Sequence, residues 1–345
     1  MRKFLIFNFS FLICLLFIAC SHKQQTTDRP AFCADSAYAF VQAQLAFGPR
    51  VPNSDAHMQC AIWLIEKLRE YGAEVELQKG FMPDYRGNNQ QIYNIIGHFG
   101  PADSNRLRIL LAAHYDTRPW CDEEELQSDR AYNVPGANDG ASGVGVLLEI
   151  ARQISLTTND KRQTTPVDII FFDVEDSGTP RFYTGMEREN TWCLGSQLWA
   201  TEYVKNNLTG EAGLTATRSN SEAVYQPKAV QYQFGILLDM VGAPEAVFPL
   251  EYFSTRYAQN YQQRIWRKAG QLGYGSLFTN KQSAPITDDH YYINTIAGIP
   301  CVDIIHYNMN SATGFASWWH TRQDNMDHIS RSTLQAVGEV VMSQL

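Results

Sequence analysis

The chain has 345 residues, of which 28 are Lys or Arg, 36 are Asp or Glu and seven are Cys, and its formal net charge at pH 7 is −8. This acidic balance argues against a nucleic-acid partner, because binding to nucleic acid requires basic surfaces. None of the seven cysteines lies in a Cys-x-x-Cys pair, so a thiolate metal site is not expected either.

The first 20 residues have the pattern of a secretory signal. Arg2 and Lys3 form a positive flank, residues 4–18 are apolar and Cys20 follows, which is too short a run for a membrane span. The ending resembles a bacterial lipoprotein cleavage site, so we expect a lipid at Cys20; an ordinary cleavable signal is the alternative. Residues 21–34 are then a tether, and the protein faces the periplasm, held at the bacterial cell envelope by this anchor alone.

The part of the chain after the tether is expected to be one domain. No linker, charge block or internal repeat divides residues 35–345, although their length would allow two domains. Five cysteines follow Cys20, and export places them in an oxidising compartment. A disulfide is therefore allowed, but an odd number at these spacings does not define a pairing.

Helical and extended patterns alternate along this domain. In chain order, the patterns predict helices over residues 35–47 and 54–71, strands over 92–99 and 107–113, a helix over 141–154, a strand over 167–172, a helix over 194–206, a strand over 234–238, a helix over 256–272, a strand over 301–305 and a helix over 332–345. Ser54 is the predicted N-cap of the second helix. Interleaved helices and strands indicate an α/β fold with a central mixed, mostly parallel sheet flanked by helices.

Polar side chains follow the predicted strands at the points where the strands end. These side chains are His114, Asp116, Asp173, Glu175, Asp176 and Asp239. Each carboxylate alone is best explained as a helix cap or a solvated loop charge. Ligands bind at the carboxyl edge of open α/β sheets, and several such groups converging there favour a functional site.

Two of the candidate residues have plausible structural roles. His114 follows a buried strand and could be a satisfied core histidine, while Asp116 lies on the same face and could orient it, as carboxylates do for metal-binding histidines. Asp139 lies in the flexible stretch 136–143 before a predicted helix, where an aspartate is a common N-cap. The small residues around it would allow close approach of the backbone to a metal, and we favour a metal-binding role for Asp139 because of the carboxylates and the histidine that follow along the chain.

Asp139, Asp176 and His320 together supply the ligand types of a catalytic zinc, which leaves a fourth position open. Glu175 and Asp176 are adjacent carboxylates, a costly arrangement unless a cation or a shared proton relieves it. A natural division has Asp176 binding the metal and Glu175 carrying protons. Trp319 beside His320 suggests a flat aromatic slot, although paired tryptophans are usually core residues.

Six motifs in order resemble those of the zinc exopeptidase superfamily and, within it, the glutaminyl cyclases (glutaminyl-peptide cyclotransferases). They are HYD at 114–116, GANDGASG at 136–143, FFDVED at 171–176, LLDMVGA at 237–243, DDH at 288–290 and WWHT at 318–321. The resemblance covers residues 35–345 and implies a zinc exopeptidase-like sandwich in a single catalytic domain.

The resemblance also implies a role for each matching residue. One zinc ion per chain is held by Asp139, Asp176 and His320. Glu175 matches the catalytic acid/base, and Asp239 and Asp288 match carboxylates around it and the substrate amine.

The implied substrate pocket is aromatic. Trp192, Phe315 and Trp319 match its positions, with the match at Trp192 the weakest because the neighbouring loop differs in length. Asp176 stands where many relatives carry glutamate, and Asp303 stands where animal relatives carry histidine.

The implied reaction converts the N-terminal glutamine of peptides or proteins into pyroglutamate and releases ammonia. The alternative is a binuclear zinc aminopeptidase, in which His114, Asp139 and Asp239 bind a second zinc and Glu175 activates a bridging water. An aromatic slot and the extra carboxylate of Asp288 beside Asp239 favour the cyclase. A catalytically inactive binding protein is disfavoured by the intact ligand set. We expect a monomer.

Overall fold

The computed structural model describes residues 31–101, 106–158, 165–208 and 230–345. The predicted signal sequence, the lipidation site and most of the predicted tether lie outside these residues. Within the described ranges, no helix combines the length and the apolar character needed to cross a membrane.

The described chain alternates helices and strands. In order, the elements are α1 (Ala34–Leu45), α2 (Asp55–Glu70), β1 (Glu74–Pro83), β2 (Asn89–Phe99), β3 (Arg108–His114), α3 (Ala141–Thr158), β4 (Val167–Phe172), α4 (Leu194–Leu208), β5 (Tyr232–Asp239), β6 (Phe248–Leu250), α5 (Tyr252–Gln271), β7 (Phe278–Gln282), α6 (Asp289–Tyr292), β8 (Cys301–Ile305) and α7 (Arg331–Met342). Every helix and strand predicted from the sequence is present. Ser54 caps α2 as predicted, its Oγ accepting the backbone N–H of His57 at 3.2 Å.

Six strands form the central sheet in the order β1-β2-β4-β3-β5-β8. The strands β4, β3, β5 and β8 run parallel, whereas β2 pairs antiparallel with β4 and β1 pairs antiparallel with β2. The predicted mixed, mostly parallel sheet is confirmed. β6 and β7 form a separate two-stranded parallel sheet.

The central strands are apolar on both faces because helices cover both. In β3, Leu111 and Ala113 face one core, while Leu110 and Ala112 face the other. The first core also receives residues of α1, α2, α3, α5 and α7, and the second packs against α4. Side chains alternate between faces with a period of two, so a strand buried on both sides appears in the sequence as a continuous apolar run.

A buried aspartate joins four strands at the opposite end of the sheet from the predicted site. Asp168 on β4 accepts hydrogen bonds from Nδ1 of His98 on β2 and from Nε of Arg108 on β3, both at 2.8 Å. The hydroxyl of Tyr232 on β5 donates to its other oxygen at 2.7 Å. The carboxylate thus ties neighbouring strands together by side-chain contacts as well as by backbone pairing.

The cysteines of the described chain are free thiols. They are Cys33, Cys60, Cys121, Cys193 and Cys301, of which all but Cys33 are buried. The disulfide that the sequence allowed is not formed among them.

Candidate active site

The carboxyl ends of three parallel strands meet at one edge of the sheet and carry acidic and imidazole side chains. β3 ends at His114, β4 leads into the turn 173–176 and β5 ends at Asp239. Asp139 reaches this edge from the turn before α3, and His320 reaches it from the segment between β8 and α7. The predicted groups therefore converge where ligands bind in open α/β sheets.

Asp139, Asp176 and His320 form a compact buried group. Nε2 of His320 lies 3.1 Å from Oδ1 of Asp176 and 3.4 Å from Oδ2 of Asp139. One potential ligand atom from each residue lies within 4.8 Å of the other two. The side chains that the sequence assigns to the metal are thus close enough to share one ion.

The donor chemistry of this group fits zinc. Ligand atoms about 2.1 Å from a tetrahedral zinc ion are separated from one another by roughly 3.4 Å, close to both distances to His320. Oδ2 of Asp176 is buried and has no hydrogen-bond partner in the described chain, and a cation would satisfy this otherwise costly atom. Two carboxylates and one imidazole leave a fourth coordination position for substrate.

A second group of possible ligands shares Asp139 with the first. Nε2 of His114 lies 3.0 Å from Oδ1 of Asp139 and 3.2 Å from Oδ1 of Asp239, and the three ligand atoms again lie within 4.8 Å of one another. The residues that a binuclear site would need are therefore brought together too.

Glu175 is largely buried beside the first group. The thiol of Cys193 donates to its Oε1 at 3.1 Å, and an oxygen of Asp288 lies within 4.8 Å of both. Burial raises the pKa of the Glu175 carboxyl well above its ordinary value; His114 opposes the rise, and the charges of Asp176 and Asp288 add to it. A carboxyl with a raised pKa can hold and release a proton near neutral pH, as an acid/base catalyst must.

Asp239 and Asp288 face the same cavity from β5 and from the start of α6. Burial raises the pKa of Asp239 to about 8; a hydrogen bond with His114 opposes the rise, and the charges of Asp139 and Asp288 add to it. Oδ1 of Asp288 caps α6 by accepting the backbone N–H of Asp289 at 2.5 Å. Its Oδ2 is buried without a partner among the described residues, so it is available to a bound donor.

Aromatic rings form a wall next to the imidazole of His320. The rings of Phe315 and Trp319 are 4.6 Å apart, and Trp319 stacks on His320 with 3.5 Å between centroids. Trp192 lies parallel to the same imidazole, within 6° and at 6.3 Å. Trp318 instead packs against the main core. Of the paired tryptophans, one is therefore structural and one lines the site.

Buried carboxylates hold the turns that carry the predicted ligands. Asp116 accepts the backbone N–H groups of Glu175 and Asp176 at 3.1 and 3.2 Å. Asp324 accepts the N–H of Asp139 at 3.0 Å and that of the preceding residue at 2.8 Å. Asp116 also lies near His114, as the sequence suggests, with 3.4 Å between its Oδ1 and Nδ1 of the imidazole. The role of Asp324 has no signal in the sequence beyond one aspartate in a polar turn.

A cavity of about 520 Å³ opens onto this edge of the sheet. All nine residues assigned from the sequence line it: Asp139, Glu175, Asp176, Trp192, Asp239, Asp288, Phe315, Trp319 and His320. The other lining residues were not predicted: Asn190, Met240, Ala284, Pro285, Ile286, Thr287, Tyr292, Ile305, Tyr307 and Thr313. Met240 follows a predicted strand and Ile305 ends one, so their positions could have indicated a place at this edge of the sheet. Most of the others lie in loops, whose positions the sequence pattern does not predict.

This sheet, with a group of possible metal ligands at its carboxyl edge, belongs to the class of zinc exopeptidase-like folds. The model of Peptidase family M28 matches residues 94–345, and the chain belongs to this family. The family and its zinc-dependent relatives imply zinc as the metal.

The chain is similar to two solved bacterial structures and, more distantly, to a third protein. A Zn-dependent exopeptidase from Parabacteroides distasonis is 43% identical with a TM-score of 0.79, and the match covers 91% of this chain and 98% of that chain. A glutaminyl cyclase from Tannerella forsythia is 42% identical with the same TM-score and coverage. A glutaminyl-peptide cyclotransferase from Bothrops jararaca is 24% identical over 263 residues, which are 72% of this chain and 63% of that protein. The chain thus spans less than two thirds of that relative.

Proposed function

We propose that the protein is a zinc-dependent glutaminyl-peptide cyclotransferase that converts N-terminal glutamine of peptides or proteins into pyroglutamate and releases ammonia. The observation that carries this proposal is the single cavity in which Glu175 and the metal-binding group meet the aromatic wall of Phe315 and Trp319. The similarity to a solved glutaminyl cyclase supports it.

The reaction is an internal transfer of the glutamine acyl group. The α-amine nitrogen attacks the carbon of the γ-carboxamide, the bond from that carbon to the amide nitrogen breaks, and a five-membered lactam and ammonia result. Asp139, Asp176 and His320 would hold one zinc ion, which would supply Lewis-acid polarisation of the γ-carbonyl. Glu175 accepts the proton that the amine loses and gives it to the departing nitrogen.

Asp239 and Asp288 position the substrate amine. Both carboxylates line the same cavity as Glu175, and a buried carboxylate is a strong acceptor for an N–H donor. The amine must be neutral to attack, and an ordinary α-amino pKa of about 8 leaves a sufficient neutral fraction near neutral pH.

The aromatic wall selects a flat amide and keeps water away from it. Trp192 and Trp319 present ring faces to the imidazole of His320, and Phe315 packs against Trp319. Holding the glutamine side chain folded toward its own amine supplies much of the rate, because ring closure is favoured by proximity. Water is not a reactant, so its exclusion prevents competing hydrolysis.

A binuclear aminopeptidase is the second candidate, and the cluster of His114, Asp139 and Asp239 favours it. In that enzyme a second zinc ion would occupy this cluster, and Glu175 would accept a proton from a water molecule instead of from the substrate amine. Metal content and product distinguish the two candidates. One zinc per chain with no released amino acids supports the cyclase.

The deciding experiment incubates the purified protein with a peptide that begins with glutamine and follows the peptide mass and free ammonia. The cyclase lowers the peptide mass by one ammonia and leaves the number of residues unchanged. A peptide with an acetylated N-terminus is the matched control, because its nitrogen cannot attack. Release of free glutamine, or no reaction with zinc bound, would refute the proposal.

We propose further that the enzyme is a monomer anchored by a lipid at Cys20 on the periplasmic side of the bacterial cell envelope. The signal pattern of residues 1–20 supports this location. Exported polypeptides that begin with glutamine would then be its substrates. Membrane fractionation of the native protein and of Cys20→Ser tests the anchor: the variant should leave the membrane fraction, and equal membrane retention would contradict it. Light scattering of the purified chain without its signal tests the monomer.

A further inference from the structure

Arg118 is a buried arginine that contacts the site without lining its main cavity. Only 1% of it is exposed. Its Nε and Nη2 donate to Oδ1 and Oδ2 of Asp122 at 2.8 and 2.5 Å, a two-pronged pair that fixes the plane of the guanidinium. Its Nη1 donates to the backbone carbonyl of Asp176 at 3.0 Å. Burying a cation costs several kcal/mol unless such contacts compensate, so its position is strongly determined.

The same guanidinium supports the aromatic wall. Its central carbon lies 4.5 Å from the ring centroid of Trp192, within the range of a cation–π contact. Trp192 in turn lies parallel to the imidazole of His320. Arg118 and the imidazole of His320 therefore both lie beside the ring of Trp192.

Asp122 links the arginine to the imidazole by a second route. Its Oδ1 lies 3.7 Å from Nδ1 of His320, the ring nitrogen that does not face Asp176. Histidines that bind metals commonly have a carboxylate at their second nitrogen, which orients the ring. Asp122 is itself held in place, because Arg118 occupies both of its oxygens and the backbone N–H of Arg181 donates to Oδ2 at 3.1 Å.

We propose that Arg118 is a positioning residue that sets the metal-binding group and the substrate wall together. It holds the turn at Asp176 through the backbone carbonyl, orients His320 through Asp122 and fixes Trp192 by stacking. Its effect on substrate rests on the proposed function, whereas its effect on the metal does not.

The metal part of the proposal is tested with Arg118→Lys and Asp122→Asn. Lysine keeps the charge but cannot make the two-pronged pair or the planar stack. Zinc transfer from each purified, zinc-loaded protein to a chromogenic chelator should be faster by about 10-fold or more, the usual cost of losing support behind a ligand. Zinc transfer from the double variant should be no faster than from the faster single variant, because both substitutions break the same contact between Arg118 and Asp122.

Arg322→Lys is the matched control. Arg322 is half-exposed and pairs with Glu124 and Asp129 at the surface, so its replacement should leave the zinc transfer rate unchanged. A thermal melt of every variant checks that the fold is intact.

The substrate part is tested by steady-state kinetics on a peptide that begins with glutamine. Arg118→Lys and Trp192→Phe should each raise KM several-fold with a smaller fall in kcat, since the wall binds substrate before and during the reaction. The increases in KM caused by the two substitutions should not be additive in the double variant, because Arg118 affects substrate binding through Trp192.

Wild-type zinc transfer rates in both Arg118→Lys and Asp122→Asn would overturn the proposal, and additive effects in their double variant would overturn the link through Asp122. If Arg118→Lys does not fold, Asp122→Asn decides: a faster rate supports the proposal and a wild-type rate overturns it. If no cyclisation is detected for the wild type, the proposed function fails while the zinc measurements still decide the role of Arg118.

Discussion

Residues in or beside the site adopt backbone angles that normally favour glycine. Val174, Cys193, Met240 and His320 have φ values of 54°, 56°, 49° and 54°. Such conformations cost a non-glycine residue on the order of 1–3 kcal/mol, and they are rarest for β-branched side chains such as that of Val174. His320 is an assigned ligand, and the other three directly adjoin assigned residues. The strain is thus concentrated where side chains are directed into the cavity.

Glu175→Gln should abolish turnover and leave zinc bound. The amide cannot accept the amine proton, and loss of an acid/base catalyst typically costs 10²–10⁴-fold or more in rate. The substitution keeps the size of a side chain that is not assigned to the metal. Ammonia release and zinc content of the same preparation are the measurements. Substantial remaining activity would remove Glu175 from the mechanism.

His320→Ala should lose both metal and activity. It removes the only nitrogen among the three assigned ligands and leaves Asp139 and Asp176 as adjacent buried carboxylates that repel each other. Zinc per chain after dialysis is the measurement, with His328→Ala as a control because His328 stacks on Trp318 away from the cavity. Stoichiometric zinc in His320→Ala would show that the ligand assignment is wrong.

At the scale of elements, the site depends on turns that follow strands. The turn after β4 is held by Asp116, which follows β3, and the turn before α3 is held by Asp324, from the segment before α7. These hydrogen bonds are buried, so each broken one leaves an unsatisfied N–H at a cost of about 1–3 kcal/mol. The ends of the strands form the carboxyl edge of the sheet, and the two carboxylates determine the positions of the assigned metal ligands at that edge.

Asp116→Asn should preserve the fold and weaken catalysis. An amide offers one acceptor oxygen where the carboxylate offers two, so the N–H of Glu175 or of Asp176 loses its partner. We expect kcat/KM for a glutamine-initiated peptide to fall by roughly 10–100-fold, the usual effect of changes behind metal ligands. Asp84→Asn is a control at an exposed turn, where a single oxygen of Asp84 accepts two backbone N–H groups and the amide keeps that oxygen. A wild-type kcat/KM would show that the turn keeps its geometry without Asp116.

Central strands that are buried on both faces were predictable, whereas the edge strand β1 and the short elements β6, β7 and α6 were not. β4 and β8 have the predicted bounds because continuous apolar runs identify them. β1 escaped prediction since it is an edge strand with only one buried residue, Gln78. α5 begins four residues before the predicted start, because Glu251 caps it by accepting the N–H groups of Phe253 and Ser254, and glutamate is not a usual N-cap.

The residues that line the cavity could be named from the sequence because six motifs in a fixed order indicate a family, which residue spacing alone does not. The supporting residues could not be found in this way. Asp324 and the N–H of Asn138 are 186 positions apart in sequence, and Arg118 reaches Asp176 across 58 positions. A single sequence contains no signal that joins such pairs, because only the fold makes them neighbours.

At the scale of the whole molecule, His98 gives the pH dependence of stability a definite sign. Burial alone would lower its pKa, but hydrogen bonds with Asp168 and Glu76 raise the pKa to about 9 from an ordinary value of 6.5. The charged imidazole therefore stabilises the fold fully below pH 6.5, and this stabilisation is lost as the pH rises through about 9. A shift of this size corresponds to at most about 3 kcal/mol.

Thermal melts of the wild type and of His98→Gln between pH 6.5 and 9 test this expectation. The difference in Tm should be largest at the acid end and should shrink as the pH rises, because only the wild type loses a charged partner of Asp168. A Tm difference that stays constant across the range would contradict the assigned pKa shift.

The rate at which the buried thiol of Cys193 is alkylated can be used to measure local opening of the structure. The thiol is fully buried, its pKa is raised well above the ordinary value by burial, and it touches Glu175. An alkylating reagent can therefore reach it only when the surrounding structure opens, so its modification rate reports the frequency of local unfolding around the reaction centre. Peptide mapping by mass spectrometry separates this signal from that of half-exposed Cys33. A substrate analogue that closes the cavity should slow modification at Cys193 and leave Cys33 unaffected.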